Sequence, residues 1–140
     1  MINTITSAIS KALSENFEGY EIYKESVEQG VTENSFFISH VQTVISDRTA
    51  RQTVFKHLFS VTYYPPLEDE YKTINEVTIK IVPLLKLLKV GEQYMAGYSI
   101  ECAKSNHLLS VTVEYHSVNS EDEEGETIDS ASLEIQPKEE

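Results

Sequence analysis

Residues Phe55, His57, Phe59, Val61 and Tyr63 alternate along the chain with Lys56, Leu58, Ser60, Thr62 and Tyr64. A period of two over that length is a strand with one aromatic face and one mixed face. Pro65-Pro66 ends it, because proline has no N–H to donate to a ladder. Such a strand needs neighbours at its edges and a cover for its aromatic face, the expected core face. The chain must therefore be built around a sheet.

The neighbours can be found by the same rule. Residues 36–45 read as a strand buried at its start, and residues 20–27 as a short extended piece joined to it by a turn-rich connection. Residues 94–104 and 108–118 read as two further strands, with Ser105-Asn106-His107 as the hairpin turn between them. In the second of these, Leu109, Val111, Val113 and Tyr115 face one way and Ser110, Thr112, Glu114 and His116 the other. The polar residues 46–52 read as a loop.

The cover comes from two amphipathic helices. Ile2, Ile5, Ile9, Leu13 and Phe17 recur at spacings of three and four, and Gly19 is placed to end that helix. Ile74, Val77, Ile81, Leu84, Leu85 and Leu88 form a second stripe, preceded by the acidic run 68–70 that suits a helix N-terminus. Pro83 lies inside the second stripe and is expected to kink or split it near residue 82, with Gly91 closing the element. The order is α-β-β-β-α-β-β. The expected fold is α+β: a mainly antiparallel sheet of four to five strands with two helices on one face. The other face is then left to solvent or to another subunit.

With 140 residues, the chain suits one domain. We divide it into a folded body, residues 1–118, and an acidic C-terminal segment, residues 119–140. The formal charge of −12 is uneven: residues 117–140 hold nine acids and one lysine, whereas residues 1–116 hold 14 acids and 10 bases. The C-terminal segment should be flexible, except that Ile128, Leu133 and Ile135 could dock on a neighbour. No basic patch suits sequence-specific nucleic-acid binding, and no run is apolar enough to span a membrane. The single cysteine, Cys102, cannot form an intrachain disulfide and reads as a small core residue in a reducing compartment.

Nothing in the sequence demands an enzyme or a cofactor. There is no phosphate-binding glycine loop, dinucleotide fingerprint or nucleophile elbow. His40 and His57 could pair across adjacent strands, and His116 could join them as a metal site. They carry no ligand spacing, however, and ordinary strand histidines are the simpler reading.

One region is more specific. Residues 20–30 read Tyr-Glu-Ile-Tyr-Lys-Glu-Ser-Val-Glu-Gln-Gly and are followed by Ser35-Phe36-Phe37-Ile38. With the short N-terminal helix, the Tyr63-Tyr64-Pro65 strand end and the late hairpin, this resembles a family of small phage tail terminator proteins over about residues 1–118. Tyr20, Tyr23, Val27, Glu28, Gln29, Gly30, Phe36 and Phe37 carry the resemblance. It departs from the family pattern in lacking an Asp-Gly turn in the late hairpin and in the acidic run 121–126. The resemblance implies a non-catalytic ring, generally hexameric, that caps the tail tube and offers a surface to the head–tail connector. Its partners would be other copies of itself, the tube protein and the connector. It would reside in the virion tail, and in the host cytoplasm during assembly. Within that reading, Arg48, Thr49, Arg51 and Gln52, in a basic stretch of an acidic body, are expected to contact a neighbouring ring. Two other readings stand beside it: an acidic inhibitor or DNA mimic acting on a basic host partner, and a small enzyme using the cross-strand histidines.

Overall fold

A computed structural model describes residues 1–24, 33–49, 52–66, 68 and 70–120. The elements run α1 (Ile2–Asn16), β1 (Glu21–Tyr23), β2 (Ser35–Thr49), β3 (Gln52–Tyr64), α2 (Glu70–Lys86), β4 (Leu87–Val90), β5 (Gln93–Ala96), β6 (Tyr98–Ser105) and β7 (Leu108–Ser120). The main sheet has the order β1-β2-β3-β7-β6, and β4 and β5 form a separate two-stranded sheet. The expected order α-β-β-β-α-β-β holds for the frame, with the short pair β4–β5 added before the last hairpin. Only the β1–β2 pairing is parallel.

Residue rows across β2, β3 and β7 define the helix-covered face: Phe36–Tyr63–Leu109, Ile38–Val61–Val111 and His40–Phe59–Val113. All but His40 are buried. Ile5, Ile9 and Leu13 of α1 and Ile74, Ile81 and Leu85 of α2 are fully buried against these rows. Each such aliphatic side chain contributes about 1.5–3 kcal/mol relative to exposure. Both buried tyrosines have their hydroxyls satisfied: Tyr63 donates to Asn34 Oδ1 at 2.8 Å and Tyr115 to the Leu85 carbonyl at 2.7 Å. Burial raises the pKa of both phenols, so they remain neutral donors. At the C-terminal end of α1, Phe17 packs 4.9 Å from Phe36. At its other end, the chain's N-terminal ammonium acts electrostatically on His57. The helix therefore runs antiparallel to β2, from the His57 row back to the Phe36 row.

Several expectations are corrected. Residues 46–52 are not a loop. Asp47 pairs with Thr53 and Thr49 with Gln52, so both strands run nearly to residues 50 and 51, which lie outside the described residues. Apolar alternation could not reveal this stretch, because alternation marks a strand only where one face is buried. β7 likewise reaches Ser120, two residues past the end expected for that strand. Of the extended piece expected over residues 20–27, β1 accounts for three, and residues 25–32 lie outside the described ones.

Pro83 stays inside one helix that ends three residues later, at Lys86. Leu88 is buried as its place in the stripe suggested, but it reaches the core from β4 rather than from the helix. Gly91, with φ of +63°, turns β4 into β5 instead of closing the helix. The strand expected over residues 94–104 is broken at Gly97 into β5 and β6. The late hairpin turns on Asn106 and His107, with φ of +53° and +65°. Two consecutive positive values are the type I′ turn that a two-residue hairpin favours. Cys102 is exposed rather than a core residue. It pairs with buried Val111 but lies on edge strand β6, whose residues are nearly all exposed.

Gly97 sits where the backbone passes tightly over the core. Its N–H donates to the Lys86 carbonyl at 2.8 Å, and a Cβ at this position would overlap the Leu85 carbonyl and lie 2.9 Å from Val113 Cγ2. Gly97→Ala is expected to destabilise the protein by about 1–3 kcal/mol through overpacking. Urea unfolding checks this as a lowered midpoint at unchanged slope.

Candidate functional site

The sheet outruns its helices. Beyond the row Thr43–His57–Tyr115, β2, β3 and β7 continue as a three-stranded arm, with the row Ile45–Phe55–Ser117 on the helix-side face and the pairings Asp47–Thr53 and Thr53–Asn119 beyond it. A bulge at Val41 starts the change: His40 pairs with Phe59, but the next pair is Gln42 with Leu58. One extra residue exchanges the faces of everything beyond it. Thr43 and Ile45 thus join the helix-side face, and Val44 joins the open one. The outcome is aliphatic surface in water on both faces of the arm's base, with Val41 52%, Val44 47% and Ile45 62% exposed.

The base of the arm is a polar chain. His40 Nε2 lies 2.7 Å from Thr43 Oγ1, which lies 3.0 Å from His57 Nδ1, and His57 Nε2 lies 3.1 Å from Ser117 Oγ. Hydrogen bonds thereby tie β2, β3 and β7 together where the helical cover ends. His57 is almost wholly buried, and its pKa falls to about 4. Burial is the main cause; His40, the N-terminal ammonium and His116 add repulsion.

The structure brings His40 and His57 together, with ring centroids 6.2 Å apart. It does not bring in His116. That residue pairs with Lys56 on the open face, where it stacks on Tyr98 at 4.3 Å and bonds Glu114 at 2.5 Å. Residue parity forbids a three-histidine site, because positions 57 and 116 lie in adjacent rows and point to opposite faces. Among the described residues, no group of His, Cys, Asp and Glu is placed to hold a metal. No described helix is long and apolar enough to cross a membrane.

Of the expected contact residues, Arg48 and Thr49 are the last of β2 and Gln52 the first of β3, at the far end of the arm. Arg51 lies outside the described residues. Arg48 and Arg51 are the chain's only two arginines. Among the residues behind the resemblance, Tyr20 and Phe36 join Phe17 and Tyr63 in an aromatic cluster with centroids 4.9–6.0 Å apart. Tyr23 bonds Glu21 at 3.3 Å, and Phe37 is half-buried on the open face. Val27, Glu28, Gln29 and Gly30 lie outside the described residues. Tyr20 and Phe36 are thus packing residues that lock the end of α1 to β2. Sequence reading missed the exposed aliphatic run of β2. The one available signal was Val41, Val44 and Ile45 extending an apolar strand into a stretch with no matching core pattern.

Family comparison agrees with this architecture. The family described as phage tail terminator protein matches residues 4–127. The chain belongs to the phage tail terminator family. This is a family of structural proteins of the phage tail and not one of enzymes. No protein of curated function matches the chain. One solved structure, 12% identical, overlaps 86% of the chain and 95% of its own length with a TM-score of 0.47, a likeness that adds no argument.

The buried imidazole makes the terminator's stability depend on pH. His57 titrates near 6.5 when unfolded and near 4 when folded, so the unfolded chain binds the extra proton between those values. Stability is therefore expected to fall as pH drops from 6.5 towards 4, by on the order of 3 kcal/mol in full, and to be independent of this group above pH 7. Urea midpoints of the wild type and His57→Gln across that range should converge as the pH falls.

Proposed function

We propose that this terminator forms a homo-oligomeric ring, of six copies, on the last ring of the tail tube. There it stops polymerisation and presents a docking surface to the head–tail connector. Assembly takes place in the host cytoplasm, and the ring remains in the virion tail. The observation that carries this reading is the arm within a family of tail proteins. Its aliphatic residues are exposed near its base, and its far end carries Arg48 and the sequence position of Arg51. The arm leaves Val44 and Ile45 exposed on its opposite faces, and an assembly that covers this aliphatic surface gains by its burial.

The physical logic is that of a heterologous interface. A tube end shows subunit surfaces that would continue to add copies. A terminator must match that surface and offer no copy of it on its far side. The arm suits the matching role because it reaches beyond the helix layer. Its arginines can pair with carboxylates in bidentate fashion, which fixes orientation as well as contact. Thr49 and Gln52 add neutral hydrogen bonds beside them. The chain needs no cofactor for this work.

The test is to mix the purified protein with assembled tail tubes and measure mass by light scattering and tube ends by negative-stain microscopy. A ring or a cap at one tube end is expected. A stable monomer that ignores tubes would overturn the proposal. Charge reversal at both Arg48→Glu and Arg51→Glu should abolish capping while leaving the unfolding midpoint within about 0.5 kcal/mol of wild type, as for a surface substitution. Capping at wild-type level would remove these arginines from the contact.

A further inference from the structure

A groove of about 390 Å³ runs the length of α1, between that helix and β4. Its apolar lining includes Ala8, Ala12, Leu84 and Leu87, and Lys11 and Lys89 stand over it. Leu87 is 58% exposed, an unusual state for a leucine one residue away from fully buried Leu88. The groove thus has an apolar base and a polar lining that includes two lysines and one carboxylate, Glu15, on a protein of net charge −12.

The chain contains a segment of complementary chemistry. Residues 128–135 read Ile-Asp-Ser-Ala-Ser-Leu-Glu-Ile. Ala131, Leu133 and Ile135 fall at every second position, so an extended segment would present them on one side. Glu134 falls on the opposite side and supplies a negative charge for Lys11 or Lys89. The family match ends at residue 127, immediately before this segment. A role for residues 128–135 does not rest on the capping role proposed above.

Reach decides between the chain's own groove and a distant one. β7 ends at Ser120, five rows beyond the His57–Tyr115 pair beside which α1 begins. Five rows are about 17 Å at the usual strand rise. The eight steps from Ser120 to Ile128 span up to about 26 Å, which leaves length to climb over the helix layer. We propose that residues 128–135 dock in cis in the groove between α1 and β4, with Ala131, Leu133 and Ile135 on its apolar base and Glu134 turned outward to Lys11 and Lys89. A covered Leu87 and neutralised lysines would follow from that docking.

The experiment uses the full chain with Cys102→Ser, Ala12→Cys and Ala131→Cys, oxidised at low micromolar concentration and separated on a non-reducing gel. The expected product is an intramolecular disulfide. Its rate should fall about tenfold when Leu133→Asp and Ile135→Asp are added, a control that keeps the tether and removes the anchors. Equal rates would mean mere tethering and would overturn the proposal. Disulfide-linked dimers as the main product would place the segment on a second copy and overturn docking in cis. Independently, amide exchange in β4 should quicken in a chain ending at Thr127. Unchanged exchange there would also overturn the proposal. The unfolding midpoint of each variant verifies that it is folded.

Discussion

The position of β3 between β2 and β7 is the constraint on which the rest of the molecule depends. Twelve pairs from Gln52–Ser120 to Tyr63–Leu109 fix β7 on one side, and the β2 ladder fixes the other. A slip of one residue would turn every side chain to the opposite face. Tyr63 and Tyr115 would lose the Asn34 and Leu85 acceptors, and Phe59 would turn to water. The same register carries His57 into the core at the point where the helices stop covering the sheet. Core, polar chain and arm are therefore consequences of one alignment, and they stand or fall together.

The arm shows how a local irregularity becomes a surface. Before Val41, β2 follows the core alternation, and its inward residues Phe36 and Ile38 are fully buried. After Val41 the alternation is displaced by one, and no helix lies over the residues that now face inward. Ile45 and Phe55 meet across the ladder on that face without cover of their own. The Thr43–His57–Ser117 chain closes the core from below with polar contacts where an apolar row would have left still more hydrophobic surface in water. The bulge supplies this surface without disturbing the packed half of the sheet.

Much of this was legible in the residues. Strict alternation at 57–63 and 109–115 located the core rows, because burial on one face is what writes a period of two into a strand. The three- and four-residue spacings located both helices for the same reason. What escaped was whatever had no buried face to record it. Residues 46–52 are nearly all polar in sequence, so the strand ends they belong to looked like a loop. β4 and β5 are too short to show a period, and Leu88 kept step with the helical stripe although it sits in a strand. The break at Gly97 depends on a close approach between distant parts of the chain, which no local pattern records. Cys102 looked like a core residue because its neighbours are apolar, and only the strand order shows that β6 is an edge. The aromatic residues Tyr20 and Phe36 were found, but through likeness to a family rather than through a visible role.

The late place of β7 in the chain also sets a schedule for synthesis. β3 is complete at Tyr64, yet the strand that covers its second edge begins only at Leu108. At about 5–20 residues per second, a nascent chain holds that central edge unpaired for some seconds. The strands meanwhile carry a row of open N–H and C=O groups beside aromatic side chains, the surface on which neighbouring nascent chains would pair wrongly. The β2–β3 hairpin can form early because its closure is local, whereas the sheet becomes a single unit only when β7 arrives. A terminator made on crowded polysomes is thus most exposed to aggregation in the interval between its third strand and its last.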